Sequence, residues 1–282
     1  MVDTTETSAA ADRIRASGDS EVATYLEIAE AREPGQALTP APNAPEAVVV
    51  LDFGSQFSML IARRIREASV YCEMVPWDTR PEDLSHLKVK AFILSGGPSS
   101  VYAEGAPYLL PYVINAEVPI LGICYGMQLL AHALGGRVDP ADSREYGHAV
   151  MRVSEAEHPL FRDLPGDLPV WMSHGDHVVE LPPGFRVIGQ SDNAPVAAMT
   201  DDAGRVAIQF HPEVVHTAQG DRLIRNFLFE VAGCAGDWTA GNFIEESVAS
   251  IKRAVGDGQV ICALSGGVDS AVAAALVHAA VG

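Results

Sequence analysis

The tightest constraint on this chain is the run Pro119-Ile120-Leu121-Gly122-Ile123-Cys124-Tyr125-Gly126-Met127-Gln128-Leu129-Leu130. Val118, Ile120, Leu121 and Ile123 are β-formers that lead in, and Met127, Leu129, Leu130 and Ala131 lead out with helix-compatible side chains. Cys124 therefore falls where a buried strand turns into a helix. Gly122 and Gly126 flank it, and a strand-to-helix turn this sharp brings strand and helix too close together for side chains at those two positions. The frame is that of a nucleophile elbow carrying sulfur in place of the usual serine oxygen. A thiol at a helix N-terminus meets the positive end of the helix dipole, which favours the attacking thiolate. The same residues would also suit a small buried core thiol. A partner base separates the two readings.

Four short apolar runs, Ala47–Leu51, Val70–Val75, Ala91–Leu94 and Val118–Ile123, are each followed by a turn and a stretch long enough for a helix. That alternation predicts an α/β chain built on a doubly wound, mostly parallel sheet. Ligands of such sheets sit beyond the carboxyl ends of the strands. Three turns fall on that edge: Asp52–Gln56, Ser95–Ser99 and Cys124 itself. Ser95-Gly96-Gly97-Pro98-Ser99 can turn backbone N–H groups toward a developing oxyanion, and it also reads as a plain tight turn.

Val138–Pro195 differs in texture, with mixed stretches, many prolines and the histidines His148, His158, His174 and His177. It is expected to form antiparallel hairpins and loops laid against the main sheet. Within it, Trp171-Met172-Ser173-His174-Gly175-Asp176 places polar, glycine-containing backbone directly after an expected strand. No spacing elsewhere completes a zinc site with His174 and His177, so no metal is expected. A further apolar strand, Val206–Phe210, runs into His211-Pro212-Glu213. His211 at a strand end can take the proton of the thiol, and Glu213, two residues on, can hold the opposite ring nitrogen.

With 282 residues, the chain has room for one domain and part of a second. The formal net charge of −18 argues against a nucleic-acid or anionic-membrane surface. Residues 1–46, rich in Ala, Thr, Ser, Pro and acids, are expected to lack fixed structure apart from a short helix over Ser20–Arg32. No basic start followed by an apolar run opens the chain, and Ala271–Val281 is too short to span a bilayer. Four cysteines (Cys72, Cys124, Cys234, Cys262) show neither a CxxC pair nor a zinc spacing. A cytoplasmic protein with reduced thiols is expected.

A second unit begins after a linker over residues 233–241, in which Trp238 is a candidate docking aromatic. An amphipathic helix carries Ile244, Val248, Ile251 and Val255 on one face and ends at Gly256–Gly258. Val260–Leu264 is expected as a strand, followed by Ser265-Gly266-Gly267-Val268-Asp269-Ser270 and an alanine-rich helix. A glycine-rich turn between strand and helix N-terminus is an anion site, because N–H groups and dipole converge there. It is not the phosphate loop that ends in GK[ST], since it has no lysine.

Taken together, SGGPSSV from Ser95, GICYGMQ from Gly122, REYG from Arg144, WMSHGD from Trp171 and AIQFHPEV from Ala207 resemble the class I (triad) glutamine amidotransferases. The likeness runs from about Val48 to Ala232. LDFGSQF from Leu51, IARRIRE from Ile61 and VYCEMVPW from Val70 narrow it to the GMP synthase family. SGGVDS from Ser265 is similar to the pyrophosphate loop of the N-type ATP pyrophosphatases. The resemblance implies Cys124 as nucleophile, His211 as base and Glu213 as the residue that orients it. It implies an oxyanion hole from the N–H groups of Gly97 and Tyr125, and glutamine binding by Gln128, Ser173, His174, Gly175 and Asp176. It further implies ATP binding by Ser265, Gly266, Gly267, Val268, Asp269, Ser270 and Ala271.

The domains expected on this basis are an amidotransferase over residues 47–232 and, over 242–282, the start of an incomplete second α/β nucleotide-binding domain. In the family the second domain uses ATP and Mg2+ to activate xanthosine monophosphate (XMP), which ammonia converts to GMP. The full enzyme is expected to be a homodimer. The present chain is expected to hydrolyse glutamine without making GMP, because its nucleotide domain is incomplete and its dimerisation region missing. Glutamine hydrolysis itself needs no cofactor. Two competing readings remain: a catalytically idle binding or regulatory module of the same fold, and the amidotransferase subunit of another biosynthetic pathway.

Overall fold

The computed structural model describes residues 38–282, so the helix expected over Ser20–Arg32 lies outside the described residues. Nine strands form a single sheet in the order β2-β1-β3-β4-β9-β8-β7-β5-β6. The first four pairings in that order are parallel, joining β1 (Glu46–Asp52), β2 (Cys72–Pro76), β3 (Lys88–Leu94), β4 (Ile120–Ile123) and β9 (Arg205–Ile208). The remaining pairings are antiparallel and join β9 to β8 (Ala198–Thr200), β7 (Arg186–Gln190), β5 (Arg137–Val153) and β6 (Asp167–Glu180). The sheet is thus mixed: the expected parallel pairing runs from β2 to β9, and antiparallel pairing continues it from β9 to β6.

In the parallel half both faces are covered, as a doubly wound arrangement requires. Alternate residues of β1 go to opposite layers: Val48 and Val50 pack with Ile61 and Ile65 of α1 (Ser58–Glu67), while Ala47, Val49 and Leu51 pack on the other side. That other side also holds Tyr112 and Val113 of α2 (Pro111–Asn115) and Met127, Leu129 and Leu130 of α3 (Tyr125–Ala133). Leu223 and Ile224 of α4 (Gly220–Asn226) return to the α1 side.

The segment after Val138 corrects one expectation. Its hairpins are not laid against the sheet; they continue it. β5 and β6 pair from Arg137↔Glu180 to Arg152↔Asp167, with register shifts between Arg137 and Val138 and between Pro140 and Glu145. A ladder this long keeps its backbone groups paired even where prolines and polar residues hide the alternation that marks a strand.

A second correction concerns Val260–Leu264, which forms no strand. Helices α5 (Ala240–Val255) and α6 (Val268–Val281) form as expected and pack on each other. Between them Ile261 is 99% exposed. A β-former acquires strand structure only by pairing, and no described strand lies beside this segment to accept its N–H and C=O groups.

The elbow itself is built by close approach. At Gly126 an added Cβ would overlap the Leu94 carbonyl oxygen and lie 2.6 Å from Leu94 Cβ, and at Gly122 it would lie 2.8 Å from the Gly126 carbonyl oxygen. The substitution Gly126→Ala should therefore force β3 and α3 apart. In urea or thermal denaturation it should destabilise the chain by roughly 1–3 kcal/mol, the usual cost of overpacking; unchanged stability would contradict so close an approach of strand and helix.

Candidate active site

Cys124 sits at the turn between β4 and α3 with φ 52 and ψ −106, a conformation rarely adopted by residues with a side chain. Backbone bonds hold it there. Its N–H donates to the Ile208 carbonyl at 2.8 Å, and the Gly126 N–H donates to the Ser95 carbonyl at 3.1 Å. One bond comes from the end of β9 and the other from the residue that follows β3, so neighbouring strands on both sides fix the thiol.

His211 follows β9 by three residues. Its Nδ1 is 2.7 Å from Glu213 Oε1, and Glu213 is fully buried, with Oε2 free of any partner among the described residues. Burial opposes a charge on the His211 ring. Hydrogen bonds and charge from Cys124 and Glu213 outweigh it and push the ring up to about 10. Cys124, far from the other two along the chain, is thus brought together with His211 and Glu213. Gly96 sits against both side chains: a Cβ there would lie 3.1 Å from His211 Cε1 and 3.8 Å from Cys124 Cβ. Phe57 meets the imidazole edge-on at 5.6 Å between ring centres.

A cleft of about 500 Å³ opens over the thiol, lined by Gly97, Cys124, Tyr125 and Gln128 on one side and by Tyr146, Ser173, His174, Gly175 and Asp176 on the other. Of the residues expected in the glutamine-cleaving site, only His211 and Glu213 lie outside this lining, and both are buried. Gly97 lets the Ser95–Ser99 turn approach Tyr125; a Cβ there would be 2.8 Å from the Phe53 carbonyl oxygen and 3.0 Å from Tyr125 Cδ1. Gln128 is itself engaged, its Nε2 donating to the Asp176 carbonyl at 2.8 Å. His174 Nδ1 lies 3.0 Å from that same carbonyl oxygen and its Nε2 3.3 Å from Glu145 Oε2. Burial pushes the His174 ring toward its neutral form, against the pull of Asp176 and Glu145. Cys124 Sγ lies 3.6 Å from the Ser173 carbonyl oxygen, so β6 touches the thiol directly.

Three residues escaped the sequence reading. Glu145 braces His174, and Gln209 accepts from Gln128 Nε2 at 3.5 Å through Oε1. Both lie inside quoted motifs, but nothing in those motifs says what they touch. Thr217, bonded to the His211 carbonyl, carried no signal at all.

None of the other thiols lines the cleft. Burial pushes Cys72 and Cys234 each up to about 11, and Cys262 is exposed on the segment before α6. The turn Ser265–Ala271 is exposed at the N-terminus of α6. Its hydroxyls face inward, with Ser265 Oγ and Ser270 Oγ 3.1 Å apart and Ser270 Oγ donating to the Gly267 carbonyl at 2.9 Å. Gly266 takes φ 81, and the Gly267 N–H donates to Ser265 Oγ at 3.4 Å. No group of three or more His, Cys, Asp or Glu that could hold a metal ion exists among the described residues. No helix among them is long and apolar enough to cross a membrane.

A family model described as glutamine amidotransferase class-I matches residues 49–231. A protein of Dehalococcoides mccartyi named GMP synthase (glutamine-hydrolyzing) is 54% identical over 237 residues, which is 84% of this chain and 44% of that protein. One of the same name from Thermomicrobium roseum is 56% identical over 243 residues, 86% of this chain and 46% of that one. The chain spans about half the length of these relatives. Among solved structures, a putative GMP synthase subunit from Thermoplasma acidophilum aligns at TM-score 0.58 and 30% identity, covering 71% of this chain and 97% of that one. A glutamine amidotransferase from Thermotoga maritima, at TM-score 0.53 and 19% identity, shares the fold.

The His211 ring is held charged by two neighbours against burial. Removing either, in Cys124→Ala or Glu213→Gln, should move its titration down from about 10 in ring-proton NMR. A titration unmoved by Cys124→Ala would mean that thiol and ring do not touch.

Proposed function

We propose the function from an established premise: this chain belongs to the class-I glutamine amidotransferase family. It hydrolyses the side-chain amide of glutamine to glutamate and ammonia through a cysteine thioester. The observation that carries this reading is the convergence of thiol, imidazole and buried carboxylate beneath one cleft.

The chemistry follows from the groups present. The Cys124 thiolate attacks the amide carbon, and the electron pair of the C=O bond moves onto oxygen. The N–H groups of Gly97 and Tyr125 receive that oxyanion. His211, charged when the amide arrives, gives its proton to the departing nitrogen, so ammonia leaves and a γ-glutamyl thioester remains. The neutral imidazole then takes a proton from water, and the hydroxide displaces glutamate from sulfur. Glu213 keeps the ring oriented and stabilises its charged form. Ser173, His174, Gly175 and Asp176 present the wall that grips the amino-acid head, with Gln128 and Glu145 bracing it from behind. Such a grip is needed because the amide by itself would not distinguish glutamine from asparagine.

The relatives at 54% and 56% identity support a further step for the ammonia, the ATP-dependent amination of XMP to GMP in a longer protein. In that protein Ser265–Ala271 would hold the pyrophosphate of ATP, Mg2+ would need ligands from elsewhere, and the full enzyme would be a homodimer. Reduced thiols suit a cytoplasmic location.

The purified chain should release glutamate from glutamine, and Cys124→Ala should lower the rate by roughly a thousandfold or more. An electrophilic glutamine analogue should label Cys124, whereas a small general thiol reagent should also reach the exposed Cys262. Labelling by the analogue at Cys262 with Cys124 untouched would reject the assignment and favour an idle module.

A further inference from the structure

Thr217 has no part in the chemistry above and does not line the cleft, yet it joins the base to the strand that forms the far wall. It is 4% exposed, and its hydroxyl both accepts and donates a hydrogen bond. The His211 N–H donates to the Trp171 carbonyl at 3.0 Å. The Trp171 N–H donates to Thr217 Oγ1 at 3.0 Å, and that hydroxyl donates to the His211 carbonyl at 2.6 Å. In an antiparallel ladder, two residues facing each other as a hydrogen-bonded pair exchange both N–H···O bonds directly. Here one bond is direct and the other passes through a hydroxyl, which holds the two backbones apart on one side only.

The spacer is itself rigid. The Thr217 N–H donates to the Val214 carbonyl at 3.1 Å, and the Gly220 N–H donates to the Thr217 carbonyl at 2.9 Å. A Cβ at Gly220 would overlap the Pro212 carbonyl oxygen, so the loop from His211 to Gly220 closes tightly on itself. Two residues beyond Trp171 on the same strand, the Ser173 carbonyl oxygen lies 3.6 Å from Cys124 Sγ. One strand therefore serves as the reference for both thiol and imidazole.

We propose that Thr217 is the positioning residue of the base, its hydroxyl setting the distance between His211 and β6 and so the placement of the imidazole over the Cys124 thiol. The proposal rests on the reading of His211 as the base. Without the hydroxyl, the Trp171 N–H and His211 C=O are left unpaired in the interior, or they close onto each other and draw His211 out of line.

The test uses the full chain with Thr217→Val, which keeps the shape and removes the hydroxyl, and Thr217→Ser, which keeps the hydroxyl. In Thr217→Val, kcat for glutamate release should fall about ten- to a hundredfold, with KM for glutamine within about twofold, as small misplacements of reacting groups do. The His211 ring titration should also fall, and Thr217→Ser should restore both. A folded Thr217→Val with wild-type kcat and titration would overturn the proposal, as would a Thr217→Ser as impaired as Thr217→Val. If Thr217→Val does not fold, Thr217→Ala takes its place; failure of both to fold beside a folded Thr217→Ser would show a structural role only and also overturn it. Were the wild type to release no glutamate, the proposed activity would fall, and the titrations would still decide the role of Thr217.

Discussion

The site depends on holding a residue that has a side chain at positive φ. At φ 52 and ψ −106 Cys124 would relax in an isolated chain, since holding a residue with a Cβ in so sparsely populated a region costs roughly 1–3 kcal/mol. Its own N–H is tied to Ile208 and that of Gly126 to Ser95, so relaxation would have to break bonds to the strands on both sides. Those bonds exist only if the register is right, with Leu94 opposite Gly122 and Ile123 opposite Ile208. The placement of the Cys124 thiol is thus a property of three central strands, and the two flanking glycines are what allow the strands and α3 to come this close.

Electrostatics complete what the elbow begins. An ion pair buried this deeply is weak evidence for stability, because desolvation consumes most of the attraction between the charges. Its natural reading is functional. One nitrogen of the His211 ring answers to Glu213 and the other side of the ring to Cys124, while the second oxygen of Glu213 has no partner among the described residues. The carboxylate has one outlet for its charge, the imidazole. Arg64 of α1, which pairs with Glu67 and Asp221, donates to the Glu213 backbone carbonyl at 3.4 Å, which positions the residue without neutralising its side chain.

How much of this was legible in the sequence follows the range of the interactions. Strands buried on both faces announce themselves as short apolar runs, so β1, β3, β4 and β9 were readable, as were the elbow and the His211–Glu213 pair two residues apart. The antiparallel half was readable as texture and not as sheet, because Pro140 and Gly147 interrupt the alternation along β5. Val260–Leu264 shows the opposite failure: local preference for strand was present and a pairing partner was not. Glu145, Gln209 and Thr217 act across 29, 81 and 46 residues, on His174, Gln128 and Trp171. No spacing rule spans such gaps without the fold in hand.

The sheet order explains why recognition and reaction cannot be tuned separately. β6 stands last in that order, five strands beyond β4, yet its backbone meets Cys124 at Ser173, His211 at Trp171 and Gln128 at Asp176. An edge strand can make those contacts only if the antiparallel half curls back over the carboxyl ends of the parallel half, in the direction that strand twist favours. The two halves then contribute different things to one cleft: the ends of the parallel strands carry Cys124 and His211, and the long β5–β6 hairpin carries the opposite wall. Because the N–H and C=O groups of successive strand residues point to opposite edges, Trp171 and Ser173 present theirs to the same edge of β6, and a shift of that strand by one residue would turn both away together. A substrate that pressed on the wall at Ser173–Asp176 would therefore press, through the same backbone, on thiol and imidazole at once.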